Sequence, residues 1–356
     1  MNALVCTKQA KTVAPNIDYQ TDWPDLEPTP PGHAKLRTLC SALNHMDLWV
    51  GMGIPGVDLT WPRVSGCDAC AVVEEVGEGV DPSWVGRRVI VNAAVEVPPR
   101  ERPTDPPGST LAPDYELIGE HHHGTHRQFF HAPATHLADL GADDSSEIDP
   151  FEAAAFGLTA LTAWSMMVTK GGLRAGQSVL VTGIGGGVAT SAMQIAKHFG
   201  CPVVVTSRHQ WKIDKAIDMG ADHGVLDQSS SGGEDWSRDV RTWTGKRGVD
   251  MAVDSIGKAT HLSCIKSLAR GGAYVTPGCT TGPDATTDLA RIFWNQLRIL
   301  GSTMGAPAEF REVASLFKAG ALKPVLDQVF KASDGRAAYE RLEAQEQLGK
   351  IVIDWR

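Results

Sequence analysis

The stretch SVLVTGIGGGVATSAMQIAKHFG, residues 178–200, decides the fold of this 356-residue chain. A short β-rich run leads directly into Gly183, Gly185, Gly186 and Gly187, and a helical pattern of apolar residues starts at Val188. A strand, a glycine turn and a helix in this order direct backbone N–H groups at a pyrophosphate. Glycines are needed because a side chain in the turn would hold the phosphates away from the backbone. The stretch therefore predicts a nucleotide-cofactor site formed by these five residues, and it favours an oxidoreductase.

Strands and helices alternate after this turn. Short apolar, β-branched runs predict parallel strands, and a longer run predicts a helix (strands 202–207, 248–254, 272–276 and 298–302; helix 259–269). Such alternation is typical of an α/β protein with a doubly wound parallel sheet. The alternative is a tight glycine turn in another kind of α/β protein.

Composition narrows the class of protein. A chain of 356 residues predicts two domains, and 42% hydrophobic residues is ordinary for a globular protein. The net charge of −9 gives no electrostatic reason to bind nucleic acid or an anionic membrane surface. No run approaches 18 consecutive apolar residues, so no membrane span is expected. The N-terminus lacks the apolar stretch of a signal peptide and the seven cysteines are scattered, so we expect a cytoplasmic location.

The texture of the sequence changes twice along the chain. Residues 1–148 carry frequent glycine, proline and short β-like runs, which predict a β-rich domain (34–40, 69–76, 87–92 and 127–131). A helical pattern starts after Asp149, a candidate N-cap, and residues 149–303 form the predicted nucleotide domain. The composition of residues 304–356 is again like that of residues 1–148, and these residues contain a predicted helix (309–318) and strand (349–354). The proline-rich 97–113 and serine-rich 228–234 segments are predicted surface loops.

Several stretches together resemble the medium-chain dehydrogenase/reductase family, in particular its quinone-oxidoreductase-like and alcohol-dehydrogenase-like branch. They follow the family's order over nearly the whole chain (LNHMDLW at 43–49, VSGCDACAVVEEVGEGV at 64–80, GLTALTAW at 157–164, the glycine turn, ARGGAYVTPG at 269–278, LRILGSTMG at 297–305 and GKIVI at 349–353). The resemblance implies a GroES-like β-rich catalytic domain (1–148 and 304–356), a Rossmann NAD(P)-binding domain (149–303) and a cofactor cleft between them.

The resemblance also raises the question of zinc. In zinc-dependent members the catalytic site is formed by a Cys, a His-Glu pair and a second Cys, and the matching positions here are Asn44, Cys67 with Asp68, and Leu158. Only Cys67 and Asp68 have ligating side chains of the usual kind, whereas a catalytic zinc needs three protein ligands. The family's structural zinc lobe would fall near residues 95–112, where the chain has no cysteine. Zinc is therefore not expected at either site.

A histidine-rich run, residues 120–126 (EHHHGTH), lies just beyond. Adjacent histidines in an extended segment point to opposite faces, so only alternate ones converge. One interpretation is an exposed or cleft-rim loop. The other is that one of these histidines lines the substrate cleft and donates a proton, because the pKa of histidine suits that role.

The end of the second predicted strand indicates which cofactor is bound. NAD-specific Rossmann domains place a carboxylate there for the ribose 2′-OH. This strand ends instead in Ser207 and Arg208, and Lys212 follows one helical turn later. A hydroxyl and two cations suit a 2′-phosphate, so NADP(H) is favoured over NAD(H). The alternative is that Arg208 and Lys212 are solvated residues at the start of a helix.

The resemblance implies hydride transfer at nicotinamide C4. Without zinc there is no Lewis acid to activate an alcohol or a simple carbonyl, which favours an acceptor such as a quinone or an α,β-unsaturated ketone. Asn44 and His45 are candidate donors to the substrate oxygen, Asp47 is either catalytic or structural, and Cys67 and Asp68 complete the catalytic candidates. Further cofactor contacts are assigned by position (Thr162, Ser255, Gly278 and Ser302).

Two other functions stay open at this point. The first is a zinc-dependent alcohol dehydrogenase with atypical ligands, namely Cys67, Asp68 and one of the histidines at 121–123. The second is a non-catalytic NADP(H)-binding protein with a structural or regulatory role. The expected partners are a small-molecule substrate and further copies of the chain, as a homodimer or homotetramer.

Overall fold

The computed structural model describes residues 1–96, 110–111, 115–228 and 235–356. The predicted loops at 97–113 and 228–234, and the position matched to the family's structural zinc lobe, lie almost entirely outside these residues. The chain divides into two compact units, the first formed by residues 1–158, 305–320 and 324–356 and the second by residues 159–304 and 321–323.

The elements alternate differently in the two units. The strands are β1 (Ala3–Cys6), β2 (Ile17–Gln20), β3 (His33–Ala42), β4 (Asp68–Val76), β5 (Arg87–Val91), β6 (Ala94–Glu96), β7 (Tyr115–Leu117), β8 (Phe129–Pro133), β9 (Leu137–Ala142), β10 (Val179–Val181), β11 (Val203–Ser207), β12 (His223–Leu226), β13 (Val249–Val253), β14 (Leu268–Thr276), β15 (Arg298–Gly301), β16 (Leu326–Lys331) and β17 (Lys350–Asp354). The α-helices are α1 (His45–Met52), α2 (Pro150–Trp164), α3 (Gly187–His198), α4 (Gln210–Asp218), α5 (Ser237–Trp243), α6 (His261–Ser267), α7 (Leu289–Asn295), α8 (Pro307–Lys318) and α9 (Gly335–Ala344).

The first unit is built on a β-sheet to which both ends of the chain contribute. Its order is β16-β17-β3-β4-β5-β9, and β8 also pairs with β3. The pairs are antiparallel except for the parallel pair β16–β17. Ala42 is the register partner of both Asp68 on β4 and Val352 on β17. This register brings the starts of β4 and β17 to the end of β3, where α1 begins.

The second unit confirms the predicted doubly wound sheet. Its order is β12-β11-β10-β13-β14-β15, and every neighbouring pair is parallel. The strands β10 and β11 are buried along their whole length, because helices cover both faces of such a sheet. The strand order reverses between β10 and β13, which is the point where ligands bind in folds of this kind.

Helix α2 starts where the sequence predicts. Asp149 Oδ1 accepts the N–H of Phe151 at 2.8 Å, which confirms the predicted cap. The helix continues as a π-helical turn over Ser165–Lys170. By length and composition the whole helix, Pro150–Lys170, is the one segment of the described chain that matches a membrane span. However, 78% of the 18-residue stretch that matches is buried within the protein, as in the core helix of a globular protein.

The segment LNHMDLW is largely helical. Helix α1 begins at His45, and the N–H of Asn44 donates to Asp47 Oδ2 at 2.7 Å in a capping box. The chain therefore enters a helix directly from β3, and the first helical side chain is that of His45.

Candidate active site

The glycine turn joins β10 to α3 and is anchored to the neighbouring strand. The N–H of Ile184 donates to the carbonyl of Thr206 at 2.8 Å, and the N–H of Gly183 donates to its hydroxyl at 3.3 Å. Gly183 has φ +59° and Gly185 has φ +141°. Residues other than glycine rarely adopt positive φ values. A Cβ built on Gly186, the N-cap of α3, would meet no heavy atom within 4 Å. The turn thus leaves open space in front of a helix N-terminus, which fits a dinucleotide phosphate.

A buried carboxylate holds the loop that follows β13 beside this turn. Asp254 Oδ1 accepts the hydroxyls of Thr182 at 2.6 Å and Thr260 at 2.8 Å. Its Oδ2 accepts the phenol of Tyr274 at 2.8 Å, and the two oxygens also accept the N–H groups of Ile256 and Gly257. Burial raises the pKa of Tyr274, so the phenol keeps the proton that it donates. Asp254 thereby fixes the carboxyl edges of β10, β13 and β14 against one another.

The residues predicted to choose the cofactor lie at the carboxyl end of β11. Ser207 is buried, and its hydroxyl accepts the N–H of His209 at 3.2 Å. Arg208 is exposed, whereas Lys212 is buried with its ammonium 5.3 Å from the ring centre of Trp211. A hydroxyl, a guanidinium and an ammonium within six consecutive residues would suit a phosphate.

The remaining cofactor candidates are spread over the second unit. Ser255, Gly278 and Ser302 follow the carboxyl ends of β13, β14 and β15, so the parallel sheet brings them to the same edge as the glycine turn. Ser302 Oγ accepts the ammonium of Lys170 at 3.0 Å. Thr162 lies within α2, where its buried hydroxyl donates to Met304 Sδ at 3.7 Å, on the segment that follows β15.

In the first unit the positions that match zinc ligands are joined by a buried ion pair. Asp68 Oδ2 accepts Asn44 Nδ2 and Lys350 Nζ, both at 2.9 Å, and Asp68 Oδ1 accepts the N–H of Leu158 at 2.6 Å. Lys350 also donates to Asn44 Oδ1. The side chains of Asp68 and Lys350 are 0% and 3% exposed. A zinc ion does not fit this set, because an ammonium already uses the carboxylate and the amide oxygen and Leu158 offers no ligand.

Cys67 is also part of the packed core. Its thiol donates to the carbonyl of Ile118 at 3.1 Å, and burial, with help from Asp47, raises its pKa well above the usual range. It is therefore a thiol at neutral pH, whereas a nucleophile needs the thiolate. Cys70 faces Cys40 across β3 and β4, and both are buried. Cys67 and Cys70, which are three positions apart in the sequence, are thus both packed in the core.

His45 and Asp47 have different surroundings on α1. Asp47 is buried, and His126 and the N–H of Asn44 hold the pKa of its carboxyl below the usual range despite burial. Its contact with the N–H of Asn44 holds the start of the helix. His45 is partly buried, stands edge-on to Trp49, and makes no hydrogen bond through its ring within the described residues. Because the amide of Asn44 is committed to Asp68 and Lys350, only His45 keeps the predicted donor role.

The histidine run separates into two parts. Residues 121–123 are exposed, as the loop interpretation predicts, and His123 Nδ1 accepts the N–H of Val64 at 3.2 Å. Although the residue as a whole is exposed, desolvation of its ring and nearby Arg127 lower the pKa of His123 to about 4. His126 is instead fully buried, with Nδ1 2.8 Å from Ser41 Oγ and Nε2 3.3 Å from Asp47 Oδ1, so the loop interpretation is wrong for it. Among the described residues no group of three His, Cys, Asp or Glu could hold a metal ion.

Two residues that matter for the site, Lys350 and Asp254, were missed by sequence reasoning, and the role of a third, His126, was left open. Lys350 was quoted within GKIVI and His126 within the histidine run, but neither motif names its partner. Asp254 closes the run GVDMAVD at the end of a predicted strand. A carboxylate at the carboxyl end of a buried parallel strand is the one available signal, since buried charges need partners.

Two family models match the chain. The description "Alcohol dehydrogenase GroES-like domain" applies to residues 30–142, and "Zinc-binding dehydrogenase" applies to residues 187–319. A zinc-type alcohol dehydrogenase-like protein, YogA, of Leptosphaeria maculans is 28% identical over 344 residues, covering 92% of each chain. A 2-haloacrylate reductase of a Burkholderia species is 27% identical over 339 residues, covering 91% of each chain.

A solved structure extends the similarity to the whole fold. It is described as an NAD-dependent alcohol dehydrogenase, is 34% identical, and superposes with a TM-score of 0.91 over 100% of both chains. The GroES-like and Rossmann expectations are confirmed, and the protein is an oxidoreductase that binds a nicotinamide cofactor. With this fold, this glycine turn and these relatives, the chain belongs to the medium-chain dehydrogenase/reductase family.

Proposed function

We propose that this protein is a zinc-independent, NADPH-dependent reductase that transfers a hydride to an activated acceptor, a quinone or an α,β-unsaturated carbonyl compound. The observation that carries the proposal is the ion pair between Lys350 and Asp68, which uses the positions matched to metal ligands. A site without a Lewis acid favours acceptors that conjugation has already activated.

The preference for NADPH rests on the end of β11. Ser207, Arg208 and Lys212 offer a hydroxyl and two cations where NAD-specific proteins carry a carboxylate. A 2′-phosphate would gain charge-assisted hydrogen bonds from these groups. The adenosine ribose of NADH would have no carboxylate at this strand end to accept a hydrogen bond from its 2′-OH.

In the proposed reaction the bound cofactor supplies the hydride. The hydride adds to the β-carbon of the acceptor, negative charge develops on the conjugated oxygen, and a proton from solvent completes the reduced product. His45 is the proposed donor to that oxygen. Burial lowers the pKa of His45, so at neutral pH the ring is uncharged and stabilises the oxygen through a neutral N–H.

The substrate class has support from one relative. The Burkholderia protein is named for reduction of 2-haloacrylate, an acid whose C=C bond is conjugated to a carboxyl group. The present chain resembles it over nearly its whole length, so conjugated acids join quinones and enones as candidate substrates.

The two alternative functions predict different results. A zinc-dependent alcohol dehydrogenase would contain stoichiometric zinc and would lose activity with a chelator. A non-catalytic NADP(H)-binding protein would bind NADPH and turn over none of the acceptors. The pairing of Asp68 with Lys350 speaks against the first.

The test is a screen of NADPH oxidation, followed by its absorbance, over quinones, enones, 2-haloacrylate and simple aldehydes. It is run with NADH in parallel and with and without chelator, and the zinc content of the purified protein is measured. We expect NADPH-dependent turnover of a conjugated acceptor that the chelator leaves unchanged. Turnover that depends on zinc, or a preference for alcohol oxidation, would contradict the proposal.

The proposed assembly is a homodimer formed through the second unit. Strand β15 is at the edge of its sheet, and an apolar patch lies exposed beside it (Leu289, Phe293, Trp294 and Ile299). An open strand edge flanked by exposed aromatic side chains suits pairing with a second copy about a two-fold axis.

A further inference from the structure

Lys350 is the first residue of β17, and its position is set by the sheet. The N–H of Leu43 donates to the carbonyl of Ile351 at 2.9 Å, so Asn44 and Lys350 are neighbours on adjacent segments. Asp68 starts β4 and faces Ala42 in register. Three segments that are distant in sequence thus meet at the point where β3 gives way to α1.

The polar atoms of this cluster are satisfied by one another. Asp68 accepts from Lys350, Asn44 and the N–H of Leu158, and Thr125 Oγ1 donates to the backbone carbonyl of Asp68 at 2.8 Å. Asn44 Oδ1 accepts from Lys350, and the carbonyl of Ala42 lies 3.4 Å from Asn44 Nδ2. A buried ion pair is tolerated only when hydrogen bonds satisfy its remaining atoms, as here.

We infer that Lys350 is a positioning residue for the reaction. Its buried ammonium supplies the positive charge at the positions that match metal ligands, and it holds the side chain of Asn44 against Asp68. His45 follows Asn44 directly, so this contact fixes the start of α1 and the direction of the proposed donor ring. The inference rests on the proposed function only in giving His45 the donor role.

The central variant is Lys350→Met, which shortens the unbranched side chain by one atom and removes its charge. Lys350→Arg keeps the charge, and Lys331→Met is the matched control, because Lys331 is an exposed lysine on neighbouring β16. We expect Lys350→Met to lower kcat at least tenfold with KM within about twofold, since orientation rather than binding is lost. We expect Lys350→Arg to recover at least half of the wild-type kcat, and Lys331→Met to match the wild type.

A second readout does not depend on turnover. The imidazole NMR signals of His45, identified by their loss in His45→Gln, should move in Lys350→Met and stay in place in Lys331→Met. If the wild-type protein reduces none of the acceptors but these signals move, the proposed function fails and the positioning role stands. If the signals and kcat of Lys350→Met both equal those of the wild type, the positioning role is refuted.

The single variant leaves Asp68 buried without its cation and is at risk of unfolding. The double variant Lys350→Met/Asp68→Asn removes both charges at nearly constant volume. We expect it to melt close to the wild type while its kcat remains at least tenfold reduced, because an amide pair lacks the charge that orients Asn44. Full wild-type kcat in the double variant would overturn the inference. Stoichiometric zinc in the wild-type protein would overturn it as well, because an ammonium and a zinc ion cannot share these positions.

Discussion

At the residue scale, Arg208 is the side chain expected to separate NADPH from NADH. Replacing Arg208 by Ala should raise the Kd for NADPH about tenfold or more, since one charge-assisted hydrogen bond is worth about 1.5 kcal/mol or more. The Kd for NADH should stay within about twofold. Both constants are measured by quenching of protein fluorescence. Arg270→Ala is the control, because Arg270 is an exposed arginine near the amino end of β14, away from the cofactor edge. An unchanged Kd for NADPH would contradict the assignment.

His45 gives the site a pH dependence with a definite sign. Burial lowers the pKa of His45 below the usual 6.5, so the ring is neutral at neutral pH and becomes an imidazolium as the pH falls through that lowered value. An imidazolium is a stronger donor to a developing oxyanion, so kcat/KM should rise on the acidic side of pH 6.5. The pH profile of His45→Gln should lack this rise. A profile that is identical in both proteins would remove His45 from the mechanism.

Some residues of the site could be predicted from the sequence and others could not. The glycines of the turn could be predicted, because the strand, the glycines and the helix are contiguous in sequence and this pattern is typical of a phosphate-binding turn. Lys350 does not, because its partner Asp68 is 282 residues away and only the sheet register brings the two together. The prediction that Asn44 donates to the substrate did not anticipate Lys350, which donates a hydrogen bond to the amide oxygen of Asn44.

At the element scale, the glycine turn can be tested apart from the fold. Gly186 has φ −81°, and a Cβ there would meet no protein atom within 4 Å. Gly186→Val should therefore fold cooperatively, with a denaturation midpoint close to the wild type, while dinucleotide binding is lost because the side chain takes up phosphate space. Denaturant unfolding and cofactor titration provide the two measurements. Tight NADPH binding by this variant would mean that the phosphates lie elsewhere.

Gly77 provides a control in which stability, rather than cofactor binding, is expected to fall. A Cβ on Gly77 would lie 2.0 Å from the carbonyl oxygen of Pro30, which is backbone and cannot move aside cheaply. Gly77→Ala should lower the free energy of unfolding while leaving any folded protein able to bind the cofactor. Loss of binding and loss of stability are thereby assigned to different glycines.

The elements of the second unit were the more predictable ones. Its strands are continuous apolar runs bounded by turn residues, so β10, β11 and β13 follow from local pattern alone. Helix α1 was not predicted, because it is only eight residues long. The spacing of Asn44 and Asp47 matches a capping box and is the local signal that could have revealed it.

At the scale of the whole molecule, the first unit could not be assembled from local pattern. Its sheet joins β3 and β4 near the N-terminus to β16 and β17 at the C-terminus, and such pairings leave no trace in the periodicity of either segment. The predicted return of the C-terminal segment to the first domain came from its composition and from the family resemblance. Local chemistry thus predicts the cofactor side, whereas the cluster around Asp68 depends on long-range topology.

The proposed homodimer is a property of the second unit's edge. Phe293 and Trp294 are 70% and 68% exposed, and aromatic side chains bury roughly 150–250 Å² each on contact. With Leu289 and Ile299 they supply a large part of the roughly 800 Å² per partner of a standard interface. Strand β15 would then pair with its copy in antiparallel fashion, which closes the open edge of both sheets.

Phe293→Asp should convert this dimer into monomers, because it places a charge at the centre of the patch, and its own stability should change little since the side chain is already exposed. Light scattering coupled to gel filtration, over a range of protein concentrations, gives the mass. Val85→Asp is the control, because Val85 is 50% exposed in the first unit, away from the patch. A wild-type protein that is monomeric at every concentration, or a Phe293→Asp variant that keeps the wild-type mass, would show that this edge is not the interface. If the variant is monomeric and still binds NADPH with the wild-type Kd, the cofactor edge of the sheet is complete within one chain.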